Sequence, residues 1–213
     1  MRFLATAALG AVLATSGAQA AVIDFEGFNA GDILSGLGGL SVDGVGYSIT
    51  VDSNGSNDIA MVFDTDNPTG GDSDLAAPFT NPATGAQLSP GNVLIISEDG
   101  DTSDPDDERA GGKITFAFDS AVNLLGFDAL DDVTLTVTDS AGGTVTVSVA
   151  KDNQFASVTT SFFNISSVQF DFGNQSGAID NLSISAVPLP ASALLLFAGL
   201  GGLGVMSRRR KSA

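Results

Sequence analysis

Hydrophobic and polar residues alternate over much of the chain between residues 21 and 186, and no amphipathic helical period recurs there. Alternation with a period of two is typical of strands that bury one face. The strand-like segments are 21–25, 47–51, 59–63, 93–96, 113–118, 123–130, 133–138, 144–149, 158–163, 168–172 and 179–185. Because Gly, Asp and Asn separate these segments, we predict an all-β fold, a single antiparallel β-sandwich. We favour a jelly-roll-like arrangement, with the first and last strands adjacent.

The intervals between the segments differ in length. Residues 139–143 are predicted to close a hairpin between two segments that place Val and Leu on one face and mostly Thr on the other. Two longer intervals, 64–88 and 97–112, are rich in Asp. Loops of this length usually carry function or stay disordered, so both are candidates for a site.

The N-terminus has a different pattern. Arg2 precedes an apolar stretch, 3–14, and Ala18 and Ala20 form an A-x-A cleavage site. This combination is typical of a secretory signal peptide that is removed from the mature protein. We therefore predict that residues 1–20 are the signal peptide, with cleavage after Ala20.

The C-terminus is predicted to hold the protein at a membrane. Residues 187–206 form an apolar run, which as a helix would extend about 30 Å and could cross the hydrocarbon core of a bilayer. A basic cluster, which resists translocation, follows at once: Arg208, Arg209, Arg210 and Lys211. We expect residues 21–186 to be exported and tethered to the inner membrane by residues 187–206, with the basic end in the cytoplasm.

A short motif opens this segment: Val187, Pro188, Leu189, Pro190 and Ala191. The motif, the Gly-rich apolar run and the basic end together resemble the VPLPA variant of the PEP-CTERM sorting signals of Gram-negative bacteria. The resemblance, which covers residues 187–213, implies recognition and cleavage at the motif by an integral-membrane exosortase, with delivery to the cell surface or extracellular matrix. The Pro-Glu-Pro core of the founding motif is absent. The alternative is a plain anchor helix that is never cut.

Charge limits the partners of the exported part. All 25 acidic residues lie within residues 21–186, but the basic residues there are Arg109, Lys113 and Lys151, which gives a net charge of 3 − 25 = −22. Such a surface repels phosphate, so nucleic acid is excluded as a partner. Cations are suitable partners, and the 166 residues are enough for one domain with a proper core.

The residue types that are missing limit the chemistry. The chain has neither Cys nor His, so it has no disulfide, no Ser-His-Asp or Cys-His arrangement and no His-bearing zinc site. A bound metal would be held by oxygen ligands, which favours Ca²⁺. Sugar binding through aromatic platforms is also disfavoured, because the chain has no Trp and one Tyr, while its Phe residues follow strand patterns.

The two ends of the exported domain form the first candidate metal site. The first strand carries Asp24 and Glu26 beside Phe25, and the last carries Asp180 after Ile179. These short patterns resemble calcium-binding jelly rolls of MAM-type and carbohydrate-binding modules, in which both ends meet at a structural ion. The resemblance implies Glu26 and Asp180 as ligands, and we expect Asp24 on the same strand face as Glu26. Alternatively, they are ordinary acidic residues at strand ends.

The long loops supply two further candidates. Asp64 and Asp66, then Asp72 and Asp74, form two D-x-D pairs around a turn, where four carboxylates would repel one another without a cation. Asp, Asn, Pro and Gly are also common in plain turns. Residues 97–109 contain seven acidic side chains, for which a solvated, mobile loop is favoured over a cation site.

These features predict an exported, non-enzymatic protein of the cell surface or extracellular matrix, associated with exopolysaccharide. The first alternative is a calcium-dependent carbohydrate-binding module. The second is a glycan-cleaving enzyme that uses an Asp/Glu pair. Such an enzyme needs two carboxylates at a suitable separation, but among 25 acidic residues some pair meets this requirement by chance.

Overall fold

The computed structural model describes residues 20–131, 133–149 and 151–187, and these residues form an almost purely β structure. A short 3-10 helix, Ser73–Leu75, lies in the first long loop. The strands are β1 (Ala20–Ile23), β2 (Leu40–Val42), β3 (Val45–Ser53), β4 (Ala60–Asp64), β5 (Phe79–Thr80), β6 (Gln87–Leu88), β7 (Asn92–Ile96), β8 (Gly112–Leu130), β9 (Thr134–Asp139), β10 (Thr144–Ser148), β11 (Phe155–Asp171) and β12 (Ala178–Ala186).

Ten of these strands form one antiparallel sheet. Its main order is β10-β9-β11-β8-β12-β7-β4, with β1 paired to β12 and the β2–β3 hairpin paired to β8 through β3. Strands β5 and β6 pair separately within the first long loop. The first half of β8 thus lies between β3 and the end of β11, and its second half lies between β12 and the start of β11.

The sheet curls where its long strands lose regular register. The pairing of β11 with β8 shifts between Thr159 and Phe162, again before Ile165, and again before Ser167. The pairing of β12 with β8 also shifts between Asp180 and Ser183. Such irregularities bend a strand and increase its twist, so the sheet takes the form of a half-barrel.

The concave side of the sheet contains the main hydrophobic core. Phe116, Phe127 and Phe170 are buried, and Phe170 makes edge-to-face contacts with Phe116 and Phe127, at ring-centroid distances of 5.8 and 5.0 Å. A second cluster lies under the first long loop and includes Met61 and Phe79. The strictly alternating burial of β9 and the first half of β8 is the direct result of their period-two sequence.

Each of the eleven predicted segments overlaps a strand, and together they account for nine of the twelve described strands; the short strands β2, β5 and β6 were not predicted. The segments 113–118 and 123–130 are one strand, β8, and the segments 158–163 and 168–172 lie on one strand, β11, apart from residue 172. The hairpin at 139–143 and the adjacency of the first and last strands are confirmed. The all-β antiparallel class is correct, but its sandwich form is not confirmed, because ten strands share one curled sheet.

Most of the predicted targeting segments lie outside the described residues. Residues 1–19 and 188–213 are not described, whereas Ala20 begins β1 and Val187 follows β12. Within the part of the chain that the structure describes, no helix is long and apolar enough to cross a membrane.

Two phenylalanines on β11 allow a direct test of the core. Phe170 is fully buried and Phe163 is 62% exposed. We expect Phe170→Ala to lower the free energy of unfolding by about 3 to 5 kcal/mol, because it leaves a cavity at the centre of the aromatic cluster. The matched control, Phe163→Ala, should change it by less than about 0.5 kcal/mol. Urea titration followed by circular dichroism measures both, and equal losses would contradict the assigned faces of β11.

Candidate functional site: two clusters of buried carboxylates

The first cluster surrounds Asp180, near the start of β12. Its cross-strand partner on β8 is Asp128, so two acidic residues face each other across one register position. Asp180 is 1% exposed, and neither of its carboxylate oxygens has a hydrogen-bond partner among the described residues. A buried carboxylate without a partner is costly, so Asp180 must bind either a proton or a cation.

The electrostatic surroundings of Asp180 reinforce this conclusion. Burial, as the largest cause, and the negative charges of Asp128, Glu26 and Asp24 together raise the pKa of Asp180 to about 8. The backbone N–H of Asn181 is close enough to the carboxylate to lower its pKa in part. Its geometry, however, is not that of a hydrogen bond. At neutral pH, Asp180 therefore carries a proton unless a cation replaces it.

The neighbouring carboxylates, unlike Asp180, have donors. The backbone N–H of Asn92 donates to Oε1 of Glu26 at 2.9 Å, and Nδ2 of Asn181 donates to Oδ2 of Asp128 at 2.9 Å. The backbone N–H of Glu26 donates to Oδ1 of Asp24 at 3.3 Å. These contacts hold three carboxylates around Asp180 while leaving it unpaired.

Local backbone turns bring these residues together. Strand β1 ends at Ile23, and Phe25 has a positive φ of 57°, so Asp24 and Glu26 lie beyond the strand and not on one strand face as predicted. Gly91 permits the approach of Glu26, since a Cβ there would lie 2.5 Å from Oε1 of Glu26. The sequence thus identified Asp24, Glu26 and Asp180 as neighbours, but it missed Asp128, because its cross-strand register is a tertiary property.

The second cluster forms where the two long loops pack together. Oγ1 of Thr69 donates to the carbonyl of Pro105 at 2.8 Å, and the backbone N–H of Gly70 donates to Oδ1 of Asp104 at 2.8 Å. The backbone N–H of Asp107 donates to Oδ2 of Asp72 at 2.8 Å. Residues 97–109, predicted to be a solvated, mobile loop, are therefore tied to the first loop by specific hydrogen bonds.

Asp107 is the buried centre of this second cluster. Its Oδ2 accepts a hydrogen bond from the backbone N–H of Gly177 at 3.0 Å, which connects the loops to the turn before β12. Burial, as the largest cause, and the charges of Asp72, Asp131 and Asp74 together raise the pKa of Asp107 to about 8. Burial and then the charges of neighbouring carboxylates raise the pKa of Asp106 to about 6, and its buried Oδ1 has no partner among the described residues.

The two D-x-D pairs have different surroundings. Asp64 uses both carboxylate oxygens in its own turn, accepting from the backbone N–H of Asp66 at 2.9 Å and from Nδ2 of Asn67 at 2.8 Å. Asp72 instead bonds to the second loop, and Asp74 contributes its charge beside Asp107. The sequence predicted the acidic loops but missed Asp107, because seven acidic residues in one stretch carry no signal of which one is buried.

Neither cluster is a complete metal site as it stands. Within the described ranges, no group of three or more acidic side chains is placed to hold one metal ion together. The predicted ligands Glu26, Asp24 and Asp180 share one electrostatic neighbourhood without converging on a single point. Rotation of the exposed side chains of Asp24 and Glu26 would be required for them to coordinate an ion with Asp180.

A small groove lies beside the first cluster. Its volume is about 260 Å³, and Val22, Asp24, Phe28, Leu40 and Tyr47 are among the residues that line it. Burial raises the pKa of the Tyr47 phenol, and the charge of Asp24 raises it further, so the phenol stays protonated. The groove is slightly smaller than the pockets that usually hold organic ligands.

Comparison with known proteins assigns no family to this chain. No model of a known protein family matches it, and no curated protein sequence matches it.

The two buried carboxylates predict an unusual dependence of stability on pH. In metal-free buffer, Asp107 and Asp180 bind protons more tightly in the folded protein, where their pKa is about 8, than in the unfolded chain, where it is about 4. Their contribution to the free energy of unfolding is therefore greatest below about pH 4 and is lost as the pH rises towards 8, by roughly 1.4 kcal/mol per unit of pKa difference.

Urea titrations at pH 4.5, 6 and 8 in the presence of chelator measure this loss. We expect Asp180→Asn and Asp107→Asn each to flatten the decline, because the amide cannot ionise. The exposed Asp66→Asn is the matched control and should follow the wild type. An identical pH profile for wild type and both buried-site variants would contradict the assigned ionisation.

Proposed function

We propose that this chain is an exported, non-enzymatic protein of the cell surface or extracellular matrix, whose β-domain is stabilised by Ca²⁺ between its first and last strands. The observation that supports the cation most directly is Asp180, a fully buried carboxylate without a partner, surrounded by three other carboxylates. The oxygen-only chemistry of the surrounding donors fits a hard cation, and Ca²⁺ tolerates irregular coordination of this kind.

The residues that would hold the ion are Asp180, Asp128, Glu26 and Asp24. A divalent cation would neutralise their mutual repulsion and would supply the partner that Asp180 lacks. Because Ile23 pairs with Leu182 next to this cluster, an ion there would link the start of the domain to its last strand. The ion is thus proposed to have a structural role.

The proposal of export depends on the two ends of the chain. Residues 1–20 are proposed to direct secretion, and residues 187–213 to hold the protein at the inner membrane until an exosortase-type enzyme cuts at Val187–Ala191. The strongly acidic composition of the domain suits a hydrated polysaccharide matrix, where like charge keeps proteins soluble. We also propose that the two halves of the curled sheet face each other as two layers, as in a jelly roll.

The absence of His and Cys from the sequence supports a non-enzymatic role, since it removes the usual nucleophiles and bases. No observation favours the glycan-cleaving alternative. A carbohydrate-binding role that does not require calcium is favoured by a different surface of the sheet, which is described below.

Thermal unfolding with and without calcium tests the proposed ion. An ion that binds the native state alone, at about 100 times its dissociation constant, adds roughly 2.7 kcal/mol. Because sites in extracellular modules often bind at about 0.1 to 1 mM, the titration should extend to tens of millimolar. We expect the melting temperature of the wild type to rise with calcium, and that of Asp180→Asn to be higher in chelator but unresponsive to calcium.

The exposed Asp152→Asn serves as the matched control and should respond to calcium as the wild type does. A wild-type melting temperature that is the same in chelator and in calcium would exclude the structural ion.

Deletion of residues 187–213 tests the sorting proposal. We expect the truncated protein to lose its tether and appear in the periplasm, whereas the full chain is found first in the inner membrane and then at the surface. Cell fractionation and immunoblotting measure this distribution. A variant with Pro188 and Pro190 changed to Ala keeps the apolar run and isolates the motif; surface delivery unchanged in both variants would contradict sorting.

A further inference from the structure

Two rows of residues cross five neighbouring strands on the outer face of the sheet, and we call this surface the hydroxyl face. The strands are β10, β9, β11, β8 and β3, in that order. The first row is Thr144, Thr138, Gln169, Thr115 and Thr50. The second row is Thr146, Thr136, Asp171, Lys113 and Asp52.

The rows face solvent because the intervening positions face the core. Val137, Phe170 and Ile114 alternate with them along their strands and are completely buried. The hydroxyls of five row members make no hydrogen bond within the part of the chain that the structure describes: Thr50, Thr136, Thr138, Thr144 and Thr146. Nε2 of Gln169 donates to Oγ1 of Thr115 at 3.2 Å, which fixes the middle of the first row.

The spacing of this face is regular. Neighbouring strands lie about 4.8 Å apart, and alternate residues along one strand lie about 6.7 Å apart. Each row therefore places a polar group about every 4.8 Å over a length of about 19 Å. Since β-branched Thr side chains are restricted at χ1 and the backbone is held in a sheet, little side-chain entropy is lost when a partner binds.

The charge of the face is exceptional for this domain. The ten positions carry one base and two acids, whereas residues 21–186 as a whole carry 25 acids and three bases. Lys113 lies opposite Asp171 on one side and Asp52 on the other, so the charges of the second row largely compensate one another. Threonine favours strands, so a solvated sheet face rich in Thr is common in itself. A nearly neutral surface across five strands of so acidic a domain, however, suits an uncharged partner.

We propose that the hydroxyl face binds a neutral, extended polysaccharide whose chain runs across the strands. Threonine hydroxyls and the Gln169 amide both donate and accept, as sugar hydroxyls do, and threonine methyls contact the apolar faces of the rings. Each sugar ring advances by about the width of one strand, so successive rings meet successive residues of a row. Without aromatic platforms each contact is weak, and affinity must grow with the number of sugars that engage the face.

This inference deepens the proposed function, since it names the class of matrix component that the exported protein would contact. It does not depend on calcium, because the ten positions lie on other strands or at other register positions than the Asp180 cluster. Its failure would therefore leave the proposed ion and the proposed export intact.

Sedimentation of the full chain with insoluble polysaccharides tests the hydroxyl face. The probes are cellulose and curdlan as neutral glucans, with alginate beads as an acidic control, in chelator and at two salt concentrations. We expect retention on at least one neutral glucan, independent of salt and calcium, and competition by soluble oligosaccharides that strengthens with their length. Thr138→Lys, which places a long charged side chain in the first row beside its central residue Gln169, should reduce retention at least tenfold.

Variants of the same side-chain shape distinguish a loss of binding caused by missing hydroxyls from one caused by a damaged fold. Changing Thr136, Thr138, Thr144 and Thr146 to Val keeps shape and strand propensity but removes four hydroxyls, and should reduce retention at least tenfold. The same four positions changed to Ser should restore it to within about threefold of the wild type. Thr159→Val, at an exposed position on the other half of β11, is the matched control and should bind normally.

Several outcomes would overturn the proposal. These are retention on neither neutral glucan, retention on alginate alone, or retention that survives Thr138→Lys. A concentration-dependent dimer in analytical ultracentrifugation that Thr138→Lys abolishes would assign the face to a second copy of this chain instead. Circular dichroism of each variant verifies that its sheet is intact.

Discussion

The backbone hydrogen bonds of β8 are the constraint on which the rest of the sheet depends. This 19-residue strand pairs with β3 and the end of β11 along its first half, and with β12 and the start of β11 along its second. Because side chains alternate strictly along a strand, one register fixes which residues of four strands face the core. The same register places Phe116 beside Phe170 in the core, Thr115 beside Gln169 on the outer face, and Asp128 beside Asp180.

The period-two pattern was sufficient to predict nine of the twelve described strands and the antiparallel class, but not the continuity of the long strands. In the sequence, Asp119, Ser120 and Ala121 interrupt the alternation of Phe and Ile and resemble a turn. In the structure, Asp119 and Ser120 are exposed on a strand that continues across the bend. A strand with two sets of neighbours can change partners without ending, and only the partners reveal this. The sandwich was inferred from strands that were taken to be separate. Because residues 119–121 were read as a break between two strands, the single curled sheet that β8 holds together was not predicted.

The candidate site could be predicted only in part, for a similar reason. Acidic residues in turns have a clear sequence signature, and Asp24, Glu26 and Asp180 were identified from their position at the two ends of the domain. Packing between distant segments of the chain decides which carboxylates are buried. Asp107 is buried because Gly177 and the first loop close over it, and Asp128 faces Asp180 because of a cross-strand register. Neither contact leaves a local signal in the chain.

Charge divides the surface of this domain into two chemical regions. Carboxylates crowd the loops and strand ends, where burial and mutual repulsion raise the pKa of Asp107 and Asp180 and favour protons or cations. The five-strand outer face has few charges, because alternation assigns most of its positions to Thr while apolar residues take the opposite, core-facing positions. A domain with dispersed acidic residues would repel anions everywhere and offer no neutral surface. Concentrating the acids in the loops leaves the regular sheet with few charges, and the physical separation of the two regions means that the proposed cation and the proposed polysaccharide would bind independently of each other.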